Sequence, residues 1–200
     1  IRFLIVFLTL VFGSCSSKNQ NLEDTNYQER SLKVIYNSAL NKLLNKDYQE
    51  ASIEFDEVER QHPYSKWAKK SILMSSYSSY KNEDYIKCEA NISRFISLYP
   101  ASESVSYAQY LLAMCYYDQI LDPQRDQTAV QMAYNTFNLI LDRYPDTPYA
   151  KEAYYKIIFL EDSLAAKEMN VAKTYTSLKK YIASLKRYKN IVNQYQTSSF

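Results

Sequence analysis

The sequence predicts an all-α protein, a solenoid of antiparallel helix pairs, on three observations. Apolar residues recur at spacings of three and four from about residue 31 to the end. A pattern of small residue, large apolar residue and proline returns at fixed internal spacing. Glycine is almost absent, with Gly13 the single one in 200 residues. Two-residue hairpins draw on glycine, whereas helices do without it.

The chain opens with a basic residue, Arg2, and a ten-residue apolar run from Phe3 to Phe12. This reads as a secretory signal, too short to span a bilayer as a helix. The run ends Phe12-Gly13-Ser14-Cys15, which resembles the bacterial lipobox, with Phe12 where leucine is usual. That resemblance makes residues 1–15 a lipoprotein signal and Cys15 the acylated residue. It also implies that Ser16 directs the protein to the outer membrane. Several acyl chains anchor firmly, because each buried methylene contributes about 0.8 kcal/mol. An ordinary signal peptide cut nearby is the alternative. Residues 16–30 are polar and rich in Ser, Asn and Gln, the composition of a flexible tether.

Residues 31–200 read as a repeat array of about four helix pairs. Ala51, Phe55 and Pro63 share a spacing with Cys88, Ile92 and Pro100, and with Ala133, Phe137 and Pro145. Ser184, Tyr188 and Gln196 repeat it without the proline. The small residue lets two helices approach, the large one fills the groove beside it, and proline ends the helix. Tyr48, Tyr85 and Tyr181 precede the small residue by three, and Val130 takes that place in the third copy. The pairs fall at about 32–61, 66–99, 102–144 and 149–196. Asp47 with Glu50 suggests a capping box, and Thr147 followed by Pro148 a cap with proline at the first helical position. Copies lie 37, 45 and 51 residues apart, against about 34 for the ideal repeat. The excess is assigned to a loop at Leu121–Gln127 and a long helix through Thr147–Lys167.

This pattern resembles the tetratricopeptide repeat, which implies a right-handed solenoid. Three strings narrow the resemblance: Arg60-Gln61-His62-Pro63-Tyr64-Ser65, Asp122-Pro123-Gln124-Arg125-Asp126-Gln127-Thr128, and Leu164-Ala165-Ala166-Lys167-Glu168-Met169. With the lipobox they resemble the BamD family of outer-membrane assembly lipoproteins over nearly the whole chain. The family fold has five pairs, so the chain reads as C-terminally truncated. The resemblance implies a non-catalytic scaffold, lipid-anchored at the periplasmic face of the outer membrane. It would bind the periplasmic domains of the central barrel subunit, accessory lipoproteins and unfolded outer-membrane proteins. By the same resemblance Arg187 contributes to docking the central subunit. Arg125 and Asp126 are candidate partner contacts, through a bidentate guanidinium, or else bonds that hold their loop in shape.

Composition excludes other classes. With 24 basic and 22 acidic residues, of which the signal removes only Arg2, there is no electrostatic footprint for nucleic acid. No phosphate loop can be written without glycine. His62 is the only histidine and has no partner at ligand spacing, so no metal, cofactor or catalytic site is expected; it can meet terminal carbonyls at its helix end instead. Cys88 and Cys115 read as buried thiols acting as small hydrophobes, with a disulfide left open by the oxidising compartment. Tyr77, Tyr80, Tyr107, Tyr110, Tyr116, Tyr117, Tyr154 and Tyr155 pack between pairs or line a peptide groove. The remaining alternative is another periplasmic repeat lipoprotein that binds peptides or cell-wall factors.

Overall fold

The computed structural model describes residues 29–122 and 127–199. Eight helices follow one another: α1 (Leu32–Leu44), α2 (Tyr48–Gln61), α3 (Lys66–Lys81), α4 (Tyr85–Leu98), α5 (Val105–Asp118), α6 (Gln127–Arg143), α7 (Pro148–Ser177) and α8 (Tyr181–Gln194). Each packs on the next. Among the described residues all regular structure is helical. The fold is a tetratricopeptide-like all-α solenoid.

The repeat pattern maps onto the second helix of each pair. Ala51 and Phe55, Cys88 and Ile92, and Ala133 and Phe137 are wholly buried, while Ser184 is buried and Tyr188 half-buried. Pro63, Pro100 and Pro145 each follow the end of α2, α4 or α6 by two residues. The core runs as three clusters. One joins α1 and α2, one centres on Ile92 and Phe95 between α3, α4 and α5, and one on Phe137 and Leu160 between α5, α6 and α7. First helices also touch across repeats, α3 to α5 and α5 to α7, which sets them on the inner side of the curve.

The capping expectations divide. Thr147 caps α7, its hydroxyl accepting from the Ala150 amide at 3.3 Å, with Pro148 at the first helical position. Ser65 and Asp84 cap α3 and α4 in the same way. Asp47 stands at the N-cap of α2, but its side chain accepts no capping bond. Glu50 lies 3.4 Å from Lys42 of α1 instead, so the capping box does not form.

Three turns within pairs share one geometry without glycine. Lys46, Glu83 and Lys179 sit at φ of 67°, 61° and 57°, where a Cβ costs roughly 1–2 kcal/mol. The next amide closes each turn onto the preceding helix: Asp47 to the Lys42 carbonyl, Asp84 to Ser79 and Lys180 to Tyr175, all at 2.9 Å. The scarcity of glycine is therefore offset by these bonds.

The two thiols are one cystine. Cys88 of α4 and Cys115 of α5 form a disulfide, which replaces the expectation of separate thiols. The small-residue slot of one second helix faces the apolar stripe of the next first helix, so repeat stacking itself brings the sulfurs together. Closing a loop of 27 residues contributes about 3 kcal/mol by constraining the unfolded chain.

Candidate partner-binding surface

Helix α7 runs 30 residues, roughly 45 Å at the α-helical rise. Its first half packs on α6 through Ala153, Ile157, Leu160 and Leu164, and its second half carries α8. This length sets the Leu164–Met169 string beside the start of α6, where the inserted loop ends. Gln127, Thr128, Gln131 and Met132 of α6 and Leu164, Lys167 and Glu168 of α7, with Tyr195 after α8, line one groove of about 410 Å³.

Arg187 of α8 closes the arrangement. Its Nη1 donates to both oxygens of Glu168, at 2.9 and 3.1 Å. The carboxylate is well covered, at 13% exposure, while the guanidinium remains 43% exposed. Arg187 also lines an adjoining groove of about 390 Å³ with Tyr175, Ala183, Lys186 and Asn190. Glu168 is thus the hinge between two grooves. It fixes the guanidinium at one nitrogen, while the arginine side chain stays partly open to solvent. Arg125 and Asp126 lie outside the described residues, immediately before α6, and Cys15 also lies outside them.

Beneath the groove sits a buried carboxylate, Glu161, 8% exposed. It accepts from Tyr134 of α6 at 3.1 Å and from the Thr197 hydroxyl. Burial, with Glu161 nearby, raises the Tyr134 phenol. Burial, with Glu168 and Glu161 nearby, raises Tyr195. The Tyr134 hydroxyl stays protonated and ties α6 to α7, while the Thr197 hydroxyl and the Ser199 amide, which donates to Asp162 at 2.6 Å, tie the segment after α8 to α7. Reading along the sequence gave no sign of Glu161 or of the Glu168–Arg187 pair, because each joins residues from different helices.

A second cluster follows the inner row. Tyr110 stacks on Tyr149 at 5.2 Å, Tyr107 lies 5.7 Å from Tyr149, and Tyr117 meets Phe159 edge-on at 6.0 Å. Lys156 stands 4.2 Å above the Tyr117 ring. Tyr80 donates to Asp118, and Tyr116 to Glu89 at 2.7 Å. Most of these tyrosines bind repeat to repeat, whereas Tyr154 and Tyr155 are exposed. Among the described residues no group of His, Cys, Asp and Glu is arranged to hold a metal ion, and no helix is long and apolar enough to cross a membrane.

The profile of a family described as outer membrane lipoprotein, YfiO, matches residues 28–200. The chain belongs to the YfiO family. Its YfiO-family relatives include a protein of Caulobacter vibrioides named outer membrane protein assembly factor BamD. That protein is 40% identical over 173 residues, covering 86% of this chain and 57% of its own length. Proteins of the same name from Rickettsia prowazekii and Neisseria gonorrhoeae are 31% and 29% identical, over 97% and 98% of this chain and 76% and 78% of their own lengths. The chain thus spans little more than half of the Caulobacter protein and about three quarters of the other two.

Proposed function

We propose that this chain is a non-catalytic scaffold subunit of the machinery that assembles outer-membrane β-barrel proteins. In this reading acyl chains on Cys15 hold it at the periplasmic face of the outer membrane. The α6–α8 surface binds the periplasmic domains of the central barrel subunit. Accessory lipoproteins and unfolded outer-membrane proteins engage the rest of the solenoid. The observation that carries the reading is convergence. The end of the Asp122–Thr128 string, the Leu164–Met169 string and Arg187 meet at one pair of grooves, although the sequence separates them by tens of residues. Leu164 and Ala165 of one string are buried, but the groove also gathers Lys167, Glu168 and Gln131, and this convergence of strings on one groove supports partner recognition.

The chemistry suits a polar docking site. Arg187 offers its remaining guanidinium donors to a carboxylate or carbonyl, Glu168 and Gln131 add acceptors, and Met132 and Leu164 supply apolar floor. In this reading Arg125 and Asp126, which precede α6 in the sequence, are further partner contacts. The names of the relatives, as assembly factors, support the same role. The alternative, a periplasmic repeat lipoprotein that binds peptides or cell-wall factors, draws its support from the tyrosine row of α3, α5 and α7.

Affinity purification separates the two. The tagged, acylated chain is extracted from native membranes in mild detergent, and stoichiometric partners are identified by mass spectrometry. Recovery of a large outer-membrane barrel protein with periplasmic domains is the expected result. Recovery of cell-wall proteins alone overturns it.

A further inference from the structure

The turn into α3 and the start of that helix gather an unusual set of side chains. Lys66, Lys69 and Lys70 fall within the first five residues of α3, and its first turn contains no acid. Cations there oppose the helix dipole, so local stability does not explain them. Several cations at this end of the solenoid are matched: Arg30 with Glu54, Lys42 with Glu50 and Glu54, Lys87 with Asp56, and Arg94 with Glu59. None of the three lysines forms an ion pair among the described residues. Two of them rest on rings, Lys69 at 5.6 Å from Tyr99 and Lys70 at 5.5 Å from Trp67 and 5.7 Å from Tyr36. Beside them Tyr64 stands fully clear of the fold and Trp67 is 43% exposed.

This surface also adjoins the root of the tether. The Arg30 amide donates to Gln61 Oε1 at 2.7 Å, and His62 Nε2 lies 2.8 Å from the Arg30 carbonyl. A carbonyl only accepts, so His62 donates from Nε2 here. The sole histidine thus staples the point where the chain enters the solenoid to the turn that presents Tyr64. Between Cys15 and Glu29 the chain reaches at most about 50 Å, which keeps this end of the solenoid close to any membrane that holds Cys15.

We propose that Tyr64, Lys66, Trp67, Lys69 and Lys70 form a surface that rests on anionic phospholipid headgroups and seats the first two helix pairs against the bilayer. Exposed aromatic rings at headgroup depth, flanked by lysines, match the two demands of a membrane interface: amphipathic rings for the boundary and cations for the phosphates. A flat charged sheet suits a tyrosine that projects outward, where an acidic peptide would need a groove. The proposal rests on the lipid-anchored reading of Cys15.

Trp67 is the only tryptophan in the chain, so its fluorescence reports this surface alone. The full acylated protein is reconstituted into vesicles of phosphatidylethanolamine and phosphatidylglycerol, some carrying brominated acyl chains. Flotation reads the anchor and Trp67 quenching reads the surface. The expected result is flotation, with Trp67 quenched and blue-shifted. The shift is lost in Lys66→Gln/Lys69→Gln/Lys70→Gln and in vesicles without phosphatidylglycerol, while both still float and circular dichroism is unchanged. Flotation with Trp67 unquenched overturns the surface and spares the anchor. Failure to float overturns both. A Trp67 response to an acidic peptide but not to vesicles assigns the surface to a protein partner and also overturns the proposal.

Discussion

Where the first helix pair meets the second, hydroxyls and charges join a ring contact of Tyr36 with Trp67 at 4.5 Å and Met74 packed on the α1–α2 core. Ser75 of α3 donates to the Ser52 carbonyl at 3.2 Å and to Asp56, and Asn91 donates to Ser75 at 3.2 Å. Asp56 lies 2.7 Å from Lys87, and Arg94 forks onto Glu59, so α2 and α4 are tied across α3. Ser71, Ser76, Ser78 and Ser79 are buried in the same helix. Where the third pair meets the fourth, Val130 and Ile140 of α6 pack on Ala153, Ile157 and Leu160 of α7. The first joint is rich in directional bonds, and the second rests mainly on apolar side chains. Burial contributes about 25 cal/mol per Å² of apolar surface, while an exposed ion pair contributes roughly 0–1 kcal/mol. The fourth pair is therefore held mainly by apolar burial where the α6–α7 groove lies, and the first two pairs gain directional bonds that fix register.

The widest contrast should come from truncation. Leu160→Ala is expected to cost about 3–4 kcal/mol in denaturant unfolding, against about 1 kcal/mol for Ser75→Ala. Equal losses would dissolve the distinction between the joints. Between them lies the cystine, which belongs to the middle of the solenoid. Cys88→Ala with Cys115→Ala should lower stability by about 3 kcal/mol, and reduction of the native chain by dithiothreitol should lower it by a similar amount. No change on reduction would contradict a stabilising disulfide.

The serine seam can be sharpened in the other direction. The Ser71 and Ser79 hydroxyls are buried with no hydrogen-bond partner among the described residues. Ser71→Ala and Ser79→Ala should each raise the free energy of denaturant unfolding by about 1 kcal/mol. Destabilisation by either would mean that the hydroxyl has a partner.

Acidity should divide the same regions with the smallest effect. The Arg60 hydrogen bond holds the Glu57 carboxyl on α2 below its usual 4.5. That contribution is present above pH 4.5 and fades as pH falls through the lowered value. Burial, above all, lifts the phenols of Tyr80, Tyr107, Tyr110 and Tyr116 from 10.0. The folded chain then holds those protons longer than the unfolded one, so stability falls as pH rises past 10. Hydrogen exchange should show acid loosening α2 first and alkali loosening α3 and α5 first. The opposite order would contradict these assignments.

The repeat was legible in the sequence because its signal is local. Ala51–Phe55, Cys88–Ile92 and Ala133–Phe137 each occupy one helix turn, and proline marks the end of that helix. Features that depend on stacking were not legible. Cys88 was read correctly as a small residue in a slot, but the identity of what fills the opposite side depends on how α5 lies on α4. The left-handed turn positions were hidden because Lys46, Glu83 and Lys179 do the work usually given to glycine. Asp47 and Glu50 had the spacing of a capping box, yet Lys42 on the neighbouring helix competes for Glu50. Resemblance alone points to Arg187, and nothing in the sequence pairs it with Glu168, 19 residues away on another helix.

The most direct test places a photo-crosslinking residue at Gln131 or Lys167, in the groove between α6 and α7, and at the exposed Glu50 of α2 as the comparison. In cells, the groove positions should trap the central barrel subunit and Glu50 should not. Crosslinks to that subunit from Glu50 alone would contradict a partner surface on the α6–α8 end of the solenoid.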